Sequence, residues 1–225
     1  MTGRRLPLTW PKLLRKSRPN AYTLLDAAAL SSCTQLELDR DAPDFTAVSF
    51  YKIFGMPDIG ALIIRKASAH VLQKRRYFGG GTVGMVITLD ATWHAKKIEA
   101  SIHDQLEEGT LPFHSIIALG HAINIHRRLF TSMSQISSHT SWLGHYAYTS
   151  MVSMRHDNGA PVFQIYKEKG AVYGDSKTQG ATISFNVLRD NGSLVSYAEV
   201  EEKADRQNIY TAVEGCAILV VSRLI

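Results

Sequence analysis

Lys52 lies inside the run Ser49-Phe50-Tyr51-Lys52-Ile53-Phe54-Gly55, and no other charged side chain falls between Asp44 and Asp58. A lysine ammonium is costly to bury unless it is paired, neutral or used covalently. Such a lysine can be an ion-pair member, an amine that forms a Schiff base with an aldehyde, or a chain snorkelling from a strand end. Upstream, Asp26 closes the short apolar run Tyr22-Thr-Leu-Leu-Asp26. In an open sheet, neighbouring strand ends gather at one edge, where ligands bind. A carboxylate and a lysine at that edge would suit pyridoxal phosphate. The lysine would hold the aldehyde, and the aspartate would keep the pyridine nitrogen protonated so that the ring accepts electrons. Ser49 and Tyr51 flank the lysine with hydroxyls suited to a phosphate or a ring. Each residue also has a plainer reading, Asp26 as a turn carboxylate and Ser49 as a strand residue on a half-buried face.

The elements that must position these residues are short strands. β-Branched enrichment predicts strands over Tyr22–Asp26, Asp44–Ser49 and Gly60–Ile64, with Phe54-Gly-Met-Pro-Asp58 as a turn. Ala27–Leu30 should turn away as loop or a helical turn. The basic, proline-bearing first twenty residues read as irregular. Gly79-Gly80-Gly81-Thr82 is the most flexible backbone in the chain. Apolar recurrence at three and four predicts a helix over Pro112–Phe130 and a second over about Ser138–Met154. Strand-like runs follow at Pro161–Tyr166 and Ala181–Leu188, then a surface helix at Tyr197–Gln207 and an apolar tail from Cys216 to Leu224. The division is an α/β portion, residues 1–130, and a smaller α+β portion, residues 131–225.

Composition narrows the classes. The 225 residues can bury a substantial core, and 45% apolar with 20% charged residues is ordinary globular usage. No apolar stretch approaches a membrane span, and the basic start lacks the apolar segment of a secretory signal. Cys33 and Cys216 make no disulfide scaffold, so a reducing, cytoplasmic compartment is expected. No metal is expected, since no Cys-x-x-Cys or His-Glu-x-x-His spacing occurs and the histidines form no ligand grouping. The formal charge of +5 gathers in Arg4, Arg5, Lys12, Arg15, Lys16 and Arg18 and in Lys74-Arg75-Arg76. No nucleic-acid motif accompanies these patches, so nucleic acid is not an expected partner.

Several segments together resemble a known family: Leu24-Leu-Asp26-Ala-Ala-Ala29, Asp44 through Gly55, Gly60-Ala-Leu-Ile-Ile-Arg-Lys66, Tyr77-Phe-Gly-Gly-Gly-Thr-Val83 and Leu106-Glu-Glu-Gly-Thr-Leu-Pro-Phe-His114. Their content, order and spacing are similar to the amino-terminal, cysteine-desulfurase-like domain of molybdenum cofactor sulfurases, which are class V, fold type I pyridoxal phosphate enzymes. The resemblance implies that residues 1–130 are the later half of the cofactor-binding large domain, and 131–225 the small carboxy-terminal α+β domain. It implies Lys52 as the Schiff-base lysine, Asp26 as the pyridine-nitrogen partner and Ser49 as a phosphate ligand. Tyr51 stands where bacterial-type desulfurases carry histidine, and Ala29 where many relatives have a glutamine. Thr82 would approach a partner's phosphate across a homodimer formed through the Gly79–Thr82 loop. The implied reaction takes sulfur from L-cysteine through a protein cysteine and passes it to the molybdenum cofactor.

The chain also departs from that family. The resemblance leads one to expect a longer protein, with a phosphate-binding glycine-threonine turn upstream and a molybdenum-cofactor-binding domain downstream. Near Ile209-Tyr-Thr-Ala-Val-Glu-Gly-Cys216-Ala-Ile218, the family's substrate-holding arginine falls on Val213 and its catalytic cysteine on Ile218. Cys216 matches a cysteine beside the catalytic one. The expected reading is therefore a partial sulfurase, or a degenerate, non-catalytic homologue acting in binding or assembly. The chain alone is expected to be inactive.

Overall fold

The computed structural model describes residues 10–18, 21–73, 79–87, 93–97, 101–214 and 217–221. The chain gathers into two compact units, Leu8–Thr131 and Ser132–Ile225.

The first unit opens with a helix, α1 (Trp10–Ser17), where an irregular segment is expected from the prolines. Pro11 stands in the first turn, where its missing N–H would have had no helical partner, so it starts the helix instead of breaking it. Three strands follow: β1 (Leu24–Asp26), β2 (Phe45–Ser49) and β3 (Gly60–Ile64). β1 runs parallel to β2 with Asp26 opposite Ala47, and β3 is antiparallel to β2 with Gly60 opposite Ser49. Between β1 and β2 lie a 3-10 turn (Leu30–Ser32) and α2 (Leu38–Asp41). Between β2 and β3 sits a one-turn helix, α3 (Phe50–Phe54), so Lys52 is on a helix and not at a strand end. After β3 come a 3-10 turn (Lys66–Ser68), α4 (His70–Gln73) and a third 3-10 turn over Gly80–Thr82. The antiparallel pair β4 (Val83–Ile87) and β5 (Trp93–Lys96) follows, then α5 (Ile102–Leu106) and the long α6 (Phe113–Phe130).

The second unit begins with α7 (Met133–Ser153), which starts earlier than the periodicity suggests because Ser132 caps it, accepting the Gln135 N–H at 3.3 Å. Strands β6 (Phe163–Tyr166) and β7 (Ser184–Val187), helix α8 (Tyr197–Arg206) and strands β8 (Tyr210–Glu214) and β9 (Ala217–Val221) complete it. Its sheet is antiparallel in the order β6-β7-β9-β8. Residues 217–221 of the expected apolar tail are thus a strand, paired with β7 on one side and β8 on the other. Tyr173, Ile183 and Phe185 form the buried centre, packed against Tyr148 and Met151 of α7 and against Phe163. Gly144 lets α7 approach that layer closely, since a Cβ there would stand 3.0 Å from the Ala181 Cα.

Candidate functional site

Because β1 and β2 are parallel, their carboxyl ends share one edge of the sheet. Asp26 leaves the end of β1, and Ser49, Tyr51 and Lys52 follow the end of β2. The Ala27 N–H donates to the Ala47 carbonyl at 2.9 Å, which fixes the chain directly after Asp26 against β2. The sheet therefore brings Asp26 and Lys52 to the same edge.

Lys52 is held by its own turn. The Ser49 hydroxyl accepts the Lys52 N–H at 3.4 Å as the cap of α3. The turn ends at Gly55, whose φ of 78° is strained for any side chain with a Cβ. Gly55 N–H donates to the Tyr51 carbonyl at 2.8 Å, closing the turn. Phe54 meets the His126 ring of α6 edge-on at 5.2 Å, and His126 also packs on Phe130 at 5.0 Å. Such aromatic contacts add about 0.5–1.5 kcal/mol each beyond area burial. They anchor the turn and leave its polar face open.

Lys52 and Tyr51 are exposed, so the lysine is not a buried charge here. Among the described residues the Lys52 ammonium makes no ion pair. Asp26 is exposed too; its Oδ1 accepts the Ala28 N–H at 3.0 Å, while Oδ2 takes no hydrogen bond from the described residues. Ser49 uses one lone pair as a cap, and its hydroxyl proton stays available. An uncommitted amine, a carboxylate oxygen and two hydroxyls on one open edge fit a phosphorylated aldehyde with a basic ring nitrogen. Among the described residues, no group of three or more His, Cys, Asp or Glu is poised to hold a metal ion.

Thr82 is placed differently. It is 1% exposed, and its hydroxyl donates to the Gly79 carbonyl at 2.9 Å, inside its own turn. Gly79 and Gly81 lie against the backbone of Glu107 and Glu108. A Cβ would come within 2.5 Å of the Glu108 oxygen at Gly79 and 2.7 Å of the Glu107 oxygen at Gly81. The Gly81 N–H donates to the Glu108 carbonyl at 2.9 Å. Two of the resembling segments thus form one packed knot, and among the described residues the Thr82 hydroxyl bonds to no other candidate residue.

Val213 and Ile218 are register partners across β8 and β9, and Ile218 also pairs with Phe185 of β7. The position where a catalytic cysteine is expected lies within an inner strand of the sheet. Lys74–Phe78, Gly215 and Cys216 lie outside the described residues. Sequence reasoning missed Asp44, which is 1% exposed and accepts the Thr23 N–H, the Thr23 hydroxyl and the Ser68 hydroxyl. Only its place at the head of a predicted strand hinted at this.

The aminotransferase class-V family model matches residues 6–169. The chain belongs to that family. The class-V chain is 50% identical over 215 residues to a molybdenum cofactor sulfurase of Aspergillus clavatus, covering 93% of this chain and 25% of that protein. It is 52% identical to one of Neosartorya fischeri, with the same coverage, and 47% identical to one of Botryotinia fuckeliana, covering 96% of this chain and 27% of that one. It shares the fold of a cystine C-S lyase solved with its product cysteine persulfide, with a TM-score of 0.71 and 17% identity over 98% of this chain and 53% of that one. A cysteine desulfurase of Escherichia coli matches with a TM-score of 0.67 and 16% identity, over 94% of this chain and 45% of that one. The class-V chain therefore spans about a quarter of the length of its curated relatives and about half of these solved structures. No helix among its described residues is long and apolar enough to cross a membrane.

Proposed function

We propose that this chain is the lysine-bearing part of a pyridoxal-phosphate-dependent molybdenum cofactor sulfurase, working in the cytoplasm on L-cysteine as sulfur donor and the molybdenum cofactor as acceptor. The observation that carries the reading is the shared edge of parallel β1 and β2, with Asp26 at the end of one strand and, after the other, a capped turn whose lysine makes no ion pair among the described residues. Sequence likeness to fungal sulfurases at about half identity supports the choice within the class-V family. When bound, pyridoxal phosphate supplies an electron sink for bonds at the substrate α-carbon. Lys52 Nζ would hold the aldehyde carbon, and Asp26 Oδ2 would hold a proton at the ring nitrogen. The Ser49 hydroxyl would donate to the phosphate while still capping Lys52, and Tyr51 would stand at the ring. Thr82 would serve the phosphate of a second copy in a homodimer, which requires its hydroxyl to leave the Gly79 carbonyl.

Capture of pyridoxal phosphate by the full chain, followed by borohydride reduction and peptide mapping, tests the reading. The label is expected on Lys52 and absent in Lys52→Ala; labelling spread over surface lysines in both proteins would overturn it.

A second reading, a non-catalytic homologue that binds or assembles, draws on the pairing of Val213 with Ile218 in β8 and β9. Neither side chain can hold a carboxylate or accept sulfur. The expected outcome is no sulfide release from L-cysteine above a Lys52→Ala control. Sulfide above that control would exclude this second reading.

A further inference from the structure

We propose that Asp44 is a positioning residue for the Lys52 site, acting from the opposite end of the sheet through the register of β1. The inference rests on the cofactor reading of Asp26 and Lys52. β1 is three residues long and, among the described residues, pairs with β2 alone. So short a strand has little to fix its register. A slip of one residue would turn Asp26 to the other face, and a slip of two would carry it about 6.6 Å along the strand.

What opposes the slip is a buried lock where both strands begin. The Thr23 N–H and hydroxyl both donate to Asp44 Oδ2 at 2.9 Å, and the Asp44 N–H donates back to the Thr23 hydroxyl oxygen at 3.0 Å. These bonds join the residue before β1 to the residue before β2. Asp44 Oδ1 accepts the Ser68 hydroxyl at 2.6 Å, with the Arg65 guanidinium 4.0 Å away. The Arg65 N–H donates to the Asp44 carbonyl at 2.9 Å, which brings in the end of β3. Thr23 and Asp44 are each 1% exposed and Ser68 is 3%, so water cannot replace these partners. Asp44 therefore ties three strands at one end, through its carboxylate and its main chain, and Asp26, Ser49 and Lys52 emerge at the other. Lys52 depends less on it, because β2 is also paired with β3 along its whole length.

The test uses the full chain, first without cofactor. Asp44→Asn replaces one acceptor oxygen by an NH2 group, so it can no longer accept from both Thr23 and Ser68. Backbone hydrogen exchange at Ala27 and Ala28, which follow Asp26, should quicken roughly 10- to 100-fold, while the Phe50 N–H, bonded to the Ile59 carbonyl, keeps its rate. With pyridoxal phosphate added, Asp44→Asn should still be labelled at Lys52. The pH dependence of its visible absorption should follow that of Asp26→Asn, and the double variant should shift no further than Asp26→Asn alone. Unchanged exchange at Ala27 and Ala28 overturns the proposal, as does a double-variant shift equal to the sum of the single shifts. If the wild-type chain captures no cofactor while Ala27 exchange still rises in Asp44→Asn, the cofactor reading falls and the lock on Asp26 stands. If Asp44→Asn loses protection throughout, Thr23→Val, which removes only the hydroxyl, takes its place. Loss throughout that variant too would overturn the proposal.

Discussion

Burial pushes the Tyr173 phenol up to about 12, and the neighbouring Tyr148 adds to the rise. Its hydroxyl donates to the Thr182 carbonyl at 3.0 Å, a bond that the ionised form would lose. In the unfolded chain the phenol titrates near its ordinary value of about 10. The folded state therefore keeps its proton longer, and the stability is fully present below about pH 10. It declines as the pH rises towards 12, by about 2–3 kcal/mol in all. Tyr173→Phe should lose about 1 kcal/mol near neutrality, for the missing hydrogen bond, and should not show the alkaline decline. Urea midpoints near neutrality and at about pH 11 would check both effects. A residue like Tyr173 is hard to read from sequence, since one aromatic among Ala171, Val172 and Gly174 does not announce a buried centre. Lys52 is legible for the opposite reason, because a charge interrupting an apolar run raises a question of cost. Asp44 escapes notice because a carboxylate before a strand reads the same whether it meets water or three buried donors.

Among the elements, β2, β3 and α6 are legible because their signals are local: β-branched runs and a recurrence at three and four. The pair β4 and β5 is just as close in sequence, with Ile87 opposite Trp93, but it is not legible because Trp93-His-Ala-Lys96 holds no β-branched residue. The one-turn helix α3 is hidden inside an apolar run and exists because Ser49 caps it and Gly55 ends it. The glycines at 79 and 81 are conspicuous in sequence as flexible backbone, yet the structure uses them for close approach to Glu107 and Glu108. Gly81→Ala should accordingly destabilise the first unit by about 1–3 kcal/mol, the usual cost of forcing atoms into a packed contact. Gly80→Ala, where a Cβ would meet nothing within 4 Å, should be nearly silent. Thermal unfolding of the two variants side by side would check the contrast.

At the scale of the whole molecule, α6 carries apolar side chains that its own unit leaves in water, with Ile117 at 61% and Leu129 at 68% exposure. Large apolar side chains left exposed in this number promote association. The chain should scatter light increasingly with concentration, and Ile117→Glu with Leu129→Lys should reduce that scattering without changing its circular dichroism. The apolar pattern of α6 is readable in the sequence; which of its faces finds a cover is not, because that depends on whatever lies against it.

The placement of the candidate residues along the chain has one further consequence. Asp26, Ser49, Tyr51, Lys52 and Thr82 all belong to the first unit, and Val213 and Ile218 to the second. On the proposed reading, holding a cofactor and accepting sulfur would then be separately heritable traits. Substitutions in β8 and β9 could alter the second without touching the first, and placing arginine at 213 and cysteine at 218 is a change confined to two paired strands.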